Sequence, residues 1–313
     1  MEVILPDGCQ EQVEAEVKAK GSRNGSLPLS HKGTGSQAAT SEGASFHYPF
    51  TQDDFSRIRA LILRRAGISL APGKRDMVYS RLARRLRARG LDSFAAYLRL
   101  LEGGEPQELE AFINALTTNM TSFFREPHHF QILAERLAQL PKNRPASIWT
   151  CASSTGEEPY SIAMTALDAL RNSAPATRIL ATDIDTNVLA TARQGIYPLE
   201  QLHKLPPERM KRHFLRGEGK NEGFARVSDE LRRLVSFRQL NLLDDSWPMR
   251  GRFDVIFCRN VMIYFDKETQ HAILKKLAAY LHPDGLLFVG HSESFHGASD
   301  LFRICGNTVY KLR

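Results

Sequence analysis

Apolar side chains recur at helical spacing between residues 46 and 117. Within residues 74–89, Val78, Leu82 and Leu86 lie four residues apart, which places them on one face of a helix. Three further segments between residues 46 and 117 repeat this spacing and are bounded by residues typical of helix ends. We therefore predict a small N-terminal domain at 46–117 that is entirely helical.

From residue 118 onward, short apolar runs alternate with amphipathic segments. This alternation predicts a mostly parallel sheet with helices on both faces. The last run, 302–312, alternates around Gly306-Asn307 and predicts a closing β-hairpin. The preceding strands are predicted at Ser147–Cys151, Arg178–Thr182, Val235–Leu240, Phe253–Cys258 and Leu286–Gly290.

Two segments depart from these patterns. Residues 1–45 are rich in Gly, Ser, Lys and Glu without an apolar period, so we expect a disordered tail. Residues of about 195–232 interrupt the alternation and are too long for an ordinary connection. We interpret this second segment as a small inserted subdomain with a recognition role. The mostly parallel sheet would then belong to a second domain, 118–313, into which this subdomain is inserted.

The chain of 313 residues is basic, with a formal charge of +7 and a pI near 9.3, which suggests an acidic partner surface. No apolar stretch approaches the roughly 18 residues of a membrane span, and Met1–Pro6 lacks the features of a signal peptide. We expect a cytoplasmic protein. Three cysteines in or beside apolar runs are expected to be buried free thiols: Cys151, Cys258 and Cys305.

The segment Trp149–Pro159 is the most informative for chemistry, since an apolar run leads into a turn of small residues and then a helix. Asp183 ends the next apolar run, one βαβ unit later. This layout is typical of an adenosine cofactor bound at the carboxyl ends of parallel strands. Glu157 and Glu158 would repel a diphosphate but tolerate a cationic cofactor, which points to S-adenosylmethionine. For Glu158, a role at the helix dipole remains an equal alternative.

Three other stretches are expected at the same edge of the sheet: Thr117–Arg125, Asn241-Leu242 and Phe257–Phe265. We predict no metal site. The adjacent His128 and His129 should point apart on a helix, and no third ligand is apparent.

Four motifs taken together resemble the chemotaxis receptor methyltransferase family, and the resemblance extends from about Phe50 to the C-terminus. They are T-T-N-M-T-S-F-F-R at 117–125, A-S-S-T-G-E-E-P-Y-S-I-A at 152–163, A-T-D-I-D at 181–185 and F-C-R-N-V-M-I-Y-F at 257–265. The resemblance implies an α/β fold with a Rossmann-like class I methyltransferase sheet, a small all-helical N-terminal domain and an inserted small β-subdomain. It also implies methyl transfer from S-adenosylmethionine to glutamate side chains of chemoreceptors.

By the same resemblance, Arg125 and Tyr264 would lie closest to the reacting methyl group. Asp183 would bind the ribose hydroxyls, and Asn241 with Leu242 would contact the adenine. The remaining cofactor-binding residues implied are Asn119, Thr121, Arg125 and Glu157 at the methionine end, with Arg259 and Asn260 completing the pocket.

The expected partners follow from charge and from the family. The basic helix 74–89 would dock the acidic cytoplasmic helices of a receptor, and the insert 195–232 could hold a receptor's C-terminal peptide. We expect a monomer without nucleic-acid binding or membrane insertion. One alternative is a nucleic-acid methyltransferase, which the sequence Cys258–Met262 after the fourth strand argues against. Another is an adaptor that only binds the cofactor.

Overall fold

The computed structural model describes residues 48–170, 177–293 and 299–313. The predicted tail at 1–45 lies outside these ranges, as does Cys9. Within them, no helix is both long enough and apolar enough to span a bilayer.

Four helices form the N-terminal part, as the spacing of apolar residues predicted. A capping box between Thr51 and Asp54 starts the first helix, and Gly67 ends it in the left-handed region at φ 69°. Short 3-10 turn Pro72–Lys74 precedes the second helix. The helices are α1 (Gln52–Ala66), α2 (Arg75–Arg89), α3 (Phe94–Glu102) and α4 (Pro106–Leu116).

A buried carboxylate joins three of these helices. The side chain of Glu108 on α4 is 1% exposed and accepts hydrogen bonds from Arg85 at 2.7 and 3.0 Å and from the Tyr97 hydroxyl at 2.8 Å. Burial and this carboxylate raise the pKa of Tyr97 far above its ordinary value, so Tyr97 remains a hydrogen-bond donor. Arg85 of the basic helix therefore serves the interior of the domain.

The rest of the chain is built on a seven-stranded sheet in the order β6-β2-β1-β7-β8-β10-β9. The first five strands in this order run parallel, and β10 pairs antiparallel with β8 and β9, which confirms the predicted hairpin. The strands are β1 (Ser147–Cys151), β2 (Arg178–Asp183), β6 (Val235–Gln239), β7 (Phe253–Cys258), β8 (Leu281–Val289), β9 (Phe302–Gly306) and β10 (Val309–Leu312).

Helices cover this sheet, and its core is aromatic. Trp149 of β1 is fully buried, and the rings of Phe257 and Phe288 stack with centroids 4.4 Å apart. Cys151 and Cys258 are buried free thiols as expected, but Cys305 is exposed, because β9 is an edge strand in which only Phe302 is buried. The helices are α5 (His128–Gln139), α6 (Glu157–Leu170), α7 (Thr186–Gln194) and α11 (Lys267–Tyr280).

The insertion between α7 and β6 contains a three-stranded antiparallel sheet in the order β3-β5-β4. This small sheet confirms the predicted β-subdomain. Its inner face packs Tyr197, Ala225 and Val227 into the main core. The elements are β3 (Ile196–Pro198), α8 (Leu199–Leu202), α9 (Pro207–His213), β4 (Phe214–Arg216), β5 (Phe224–Val227) and α10 (Asp229–Leu234).

Strand order leaves a crevice beyond the carboxyl ends of β1 and β7. From β1 the chain adds β2 and β6 on one side, and later adds β7 and β8 on the other. Loops that follow neighbouring strands on opposite sides of such a switch point diverge, and ligands bind in the gap.

Candidate functional site

A cavity of about 310 Å³ occupies this crevice. The N-terminal helices contribute one wall through Ile68, Leu70, Lys74 and Met77. The opposite walls come from the loops after the central strands. The site is therefore shared between the helical domain and the sheet.

The turn after β1 is held in an uncommon conformation. Ala152 and Ser154 have φ of 55° and 50°, and Gly156 has φ of 101°. A side chain at Gly156 would lie 2.7 Å from the hydroxyl of Tyr197, so this position requires glycine. The turn presents the backbone N–H of Ser154 toward Asp183, at 2.8 Å from Oδ2.

Asp183 ends β2 and lines the cavity. Its carboxylate is 7% exposed and accepts backbone hydrogen bonds from Ser154 and, at 3.0 Å, from Asp185. Burial raises the pKa of Asp183 to about 6, although these two hydrogen bonds oppose the shift. Each carboxylate oxygen keeps a lone pair for a further donor, such as one hydroxyl of a ribose diol.

The two adjacent glutamates at the start of α6 face different surroundings. Glu158 lines the cavity and accepts a hydrogen bond from Thr150 at 2.6 Å. Glu157 is buried, does not line the cavity and accepts a hydrogen bond from Thr155 at 2.7 Å. Burial raises the pKa of Glu157. Its cofactor role stays a prediction, and Glu158 is the one of the two glutamates that lines the cavity.

Arg259 follows β7 and is only 4% exposed. Its guanidinium donates to Glu158 at 2.7 Å and to the backbone carbonyl of Arg125 at 2.6 Å, and it faces Glu126 at 3.5 Å. A buried cation needs such partners, because water cannot solvate it. Arg259 thus connects the turn after β1 to the segment that carries Arg125.

The segment between α4 and α5 crosses the mouth of the cavity. The Asn119 amide donates to Asp185 at 2.8 Å, and the Asn119 carbonyl accepts from the Ser154 hydroxyl at 2.9 Å. Arg125 is exposed and donates to the Met120 carbonyl at 3.2 Å. An exposed guanidinium can be redirected toward a substrate at little cost.

The loop after β6 forms an apolar part of the wall. Leu242 is buried, and its carbonyl accepts from Lys276 at 2.8 Å. Asn241 donates to the carbonyl of Arg65 at 2.9 Å, and its own side-chain oxygen accepts from the N–H of Leu243. Together with Ile184 this loop can hold a flat apolar base.

Nearly all the residues implied at the site line the same cavity. The nine that line it are Asn119, Thr121, Arg125, Asp183, Asn241, Leu242, Arg259, Asn260 and Tyr264. The pattern of the sequence did not reveal Asp185 or Glu293, which lie just behind the wall and hold its loops. For Asp185 a signal existed, because an Asp before a helix is a typical N-cap, and here it accepts from two N–H groups of α7.

A third possible metal ligand, Glu126, lies beside the two histidines, contrary to the prediction from the sequence. The His128 and His129 rings lie 4.3 Å apart, and ligand atoms of Glu126, His128 and His129 lie within 4.8 Å of one another. Glu126 turns back toward the helix because its own φ is 57°. Glu126 Oε1 also faces the Arg259 guanidinium at 3.5 Å, and His129 Nε2 contacts the Asn307 carbonyl at 3.0 Å. That this cluster holds no metal stays a prediction.

Two family models match this chain. The model of the CheR methyltransferase SAM-binding domain covers residues 119–311, and that of the CheR methyltransferase all-alpha domain covers 53–117. The chain belongs to the CheR methyltransferase family. S-adenosylmethionine is accordingly its cofactor. The site fits it, because the buried carboxylate of Asp183 could accept from ribose hydroxyls, Leu242 and Ile184 could pack against the base, and Glu158 offers a negative charge for the sulfonium.

Curated relatives carry consistent names. "Chemotaxis protein methyltransferase 2" of Pseudomonas aeruginosa is 56% identical over 85% of this chain and 94% of its own length. "Chemotaxis protein methyltransferase" of Salmonella typhimurium is 54% identical over 82% and 89%, and that of Escherichia coli is 52% identical over 82% and 90%. Neither family model concerns nucleic acids, so the nucleic-acid alternative finds no support.

Matches to solved structures are weak by comparison. PKMT2 from Rickettsia typhi in complex with AdoHcy is 18% identical, covers 55% of this chain and 26% of its own, and has a TM-score of 0.32.

The pKa of Asp183 leads to a prediction for cofactor binding. In the predicted role of Asp183, the ribose hydroxyls would donate to its ionised carboxylate, and its pKa of about 6 means that it takes up a proton below about pH 6. We expect the affinity for S-adenosylhomocysteine to be constant from pH 8 to 7 and to fall below pH 6, by up to about tenfold per unit. Calorimetric titration between pH 5 and 8 measures it.

Asp183→Asn is the control variant. It should bind weakly at every pH, with no step near pH 6. A wild-type affinity that stays constant down to pH 5 would contradict the assignment of Asp183 to the ribose.

Proposed function

We propose that this protein transfers the methyl group of S-adenosylmethionine to glutamate side chains of chemoreceptors and so forms glutamate methyl esters. The names of the relatives support the chemotaxis setting. The observation that carries the choice of acceptor is that a cationic donor, Arg125, and a hydroxyl, Tyr264, line the same cavity as Asp183. These two groups suit a carboxylate.

When bound, S-adenosylmethionine supplies a sulfonium methyl, which a carboxylate oxygen takes as the S–C bond breaks and its electron pair stays on sulfur. The acceptor is already anionic at neutral pH, so the protein need not remove a proton. Its task is to align oxygen, carbon and sulfur and to exclude water. The narrow cavity between two domains favours this kind of catalysis.

Arg125 is proposed to bind the acceptor carboxylate with two parallel hydrogen bonds, and Tyr264 to donate a third. Glu158 is proposed to face the cationic end of the cofactor, since it lines the cavity while Glu157 does not. Asn119, Thr121 and Asn260 are proposed to complete this end of the site. Asn241 and Leu242 would contact the adenine.

Helix α2 is proposed as the docking surface for acidic receptor helices. Only some of its arginines are free to contact a receptor. Arg84 and Arg87 are exposed, and among the described residues neither makes a side-chain hydrogen bond or ion pair. Lys74, just before the helix, lines the cavity. Other arginines donate within the domain: Arg75 to the Phe50 carbonyl, Arg81 to the Thr117 carbonyl, Arg85 to Glu108 and Arg89 to Glu105.

The inserted sheet is proposed to hold a C-terminal peptide of a receptor. Ile196, Leu215 and Phe224 are exposed and alternate with buried residues, so they share the outer face of the small sheet. Both β3 and β4 are edge strands that can pair with an added strand. Arg226 stands between Ile196 and Leu215 in the pairing and adds a positive charge.

We also propose that the protein acts as a monomer in the cytoplasm. The buried Cys151 and Cys258 are free thiols, as is usual in a reducing compartment.

The first prediction here concerns the acceptor. With tritiated S-adenosylmethionine and a receptor signalling domain, the wild type should transfer label that base releases as methanol. Arg125→Ala should lower kcat about 100-fold because it removes two charge-assisted hydrogen bonds, and Tyr264→Phe about tenfold because it removes one. Rates near wild type in both variants would refute the roles, and base-stable label would refute the ester.

The second prediction separates docking from folding on α2. The double variant Arg84→Glu and Arg87→Glu should raise the KM for receptor at least tenfold and leave the affinity for S-adenosylhomocysteine unchanged, because these side chains carry charge on the surface only. Arg85→Glu is the contrasting variant, which should lower the melting temperature since it places two carboxylates together in the interior. A KM insensitive to the double change would exclude this surface.

The third prediction concerns the insert. Calorimetric titration with receptor C-terminal peptides should give a Kd that rises at least tenfold in Phe224→Ser, which removes an apolar side chain from the outer face. Ile304→Ser on β9 of the main sheet is the control, an apolar residue that is 63% exposed, against 43% for Phe224, and whose loss should not change binding. Equal affinities for both variants would place the peptide elsewhere.

A further inference from the structure

The loop after β7 carries three residues of the candidate site, Arg259, Asn260 and Tyr264. Its backbone is not an ordinary turn, since Asn260 has φ of 57° and Met262–Tyr264 form a 3-10 turn. The N–H groups of Asn260 and Met262 then point to the same side, away from any strand partner. Buried donors in this arrangement form a concave site for an anion and are costly if left unbonded.

Glu293, just past the end of β8, fills that site. Its carboxylate is 4% exposed and accepts from the N–H groups of Asn260 and Met262, both at 2.8 Å, and of Gly290 at 2.6 Å. Burial raises the pKa of Glu293, and these hydrogen bonds oppose the rise. One side chain thus fixes the backbone of the loop that presents Tyr264.

The same turn also reaches the other side of the site. The N–H of His291 donates to Glu126 at 3.2 Å, and Glu126 directly follows Arg125. The fit is close, because a side chain at Gly290 would collide with the Asn260 amide and lie 2.8 Å from Glu293 Oε2. Turn 290–293 therefore contacts both segments that carry the proposed catalytic pair.

We propose that Glu293 is a positioning residue for methyl transfer, which sets the place of Tyr264 relative to Arg125 through turn 290–293. Glu293 does not line the cavity, so we expect its carboxylate to contact neither reactant directly. Its effect would come through geometry, where a displacement of about 1 Å can cost about 100-fold in rate. The inference rests on the proposed function, since it assumes that Arg125 and Tyr264 bind the acceptor.

Glu293→Gln tests this directly. The amide NH₂ would oppose at least one of the three N–H groups, so the loop should shift while the volume stays the same. We expect kcat for receptor methylation to fall at least 30-fold, with the Kd of S-adenosylhomocysteine changed less than fivefold, because most cofactor contacts lie on other loops. Glu135→Gln, an exposed glutamate on α5, is the matched control and should behave as wild type.

Hydrogen exchange supplies a second measurement that needs no acceptor. In the S-adenosylhomocysteine complex, amides of 259–265 should exchange at least tenfold faster in Glu293→Gln than in Glu135→Gln. Gly290→Ala disturbs the contact between Glu293 and the loop after β7 by crowding it. If Glu293→Gln does not fold, Gly290→Ala should show the same faster exchange at 259–265.

The outcomes separate this inference from the function on which it rests. A wild type that labels no receptor refutes the proposed acceptor, and the exchange rates still decide the role of Glu293. A kcat within threefold of wild type, or unchanged exchange at 259–265, overturns the positioning role. A kcat that falls only as far as the folded fraction falls would also overturn it.

Discussion

The buried guanidinium of Arg259 is the interaction on which the site depends. A cation removed from water must be matched by acceptors, and here they come from three places: Glu158 after β1, the backbone carbonyl of Arg125 and the carboxylate of Glu126. None of the three is close to Arg259 in sequence. The need to neutralise one charge therefore brings together loops that the sheet alone would leave to diverge.

A second set of carboxylates stabilises the site by accepting backbone N–H groups rather than by neutralising a cation. Asp183, Asp185 and Glu293 each accept N–H groups that no strand or helix could pair. Residues with positive φ cluster in the same loops, so these segments would relax without such acceptors. The Arg125 side chain, by contrast, is exposed and donates to the Met120 carbonyl at 3.2 Å.

Much of the fold could be predicted from apolar spacing, because a strand buried on both faces leaves an unbroken apolar run. Strand β1 has the predicted bounds Ser147–Cys151, and the closing hairpin turns at Asn307 and Thr308, one residue beyond the predicted Gly306-Asn307. The ends of strands at a switch point also locate a site in general terms, which is why most of the implied residues line one cavity.

The direction in which individual side chains point could not be predicted in the same way. Glu157 and Glu158 differ by about 100° around one helix, and only packing against Thr155 or Arg259 decides which one faces the ligand. Arg84 and Arg85 differ in the same way, and the decision depends on Glu108, which is 23 residues away. Glu293 and Asn260 are 33 residues apart. Contacts at such separations leave no local pattern in a single sequence.

Some arginines of α2 bond within the domain and others do not, and this difference has an evolutionary consequence. Arginines that bond inside the domain cannot be exchanged without loss of stability, whereas Arg84 and Arg87 contribute nothing to the interior. Substitutions at those two positions are therefore nearly neutral for folding. With α2 in its proposed docking role, a lineage whose receptors change their surface charge could follow that change at these positions alone, while the catalytic site stays the same.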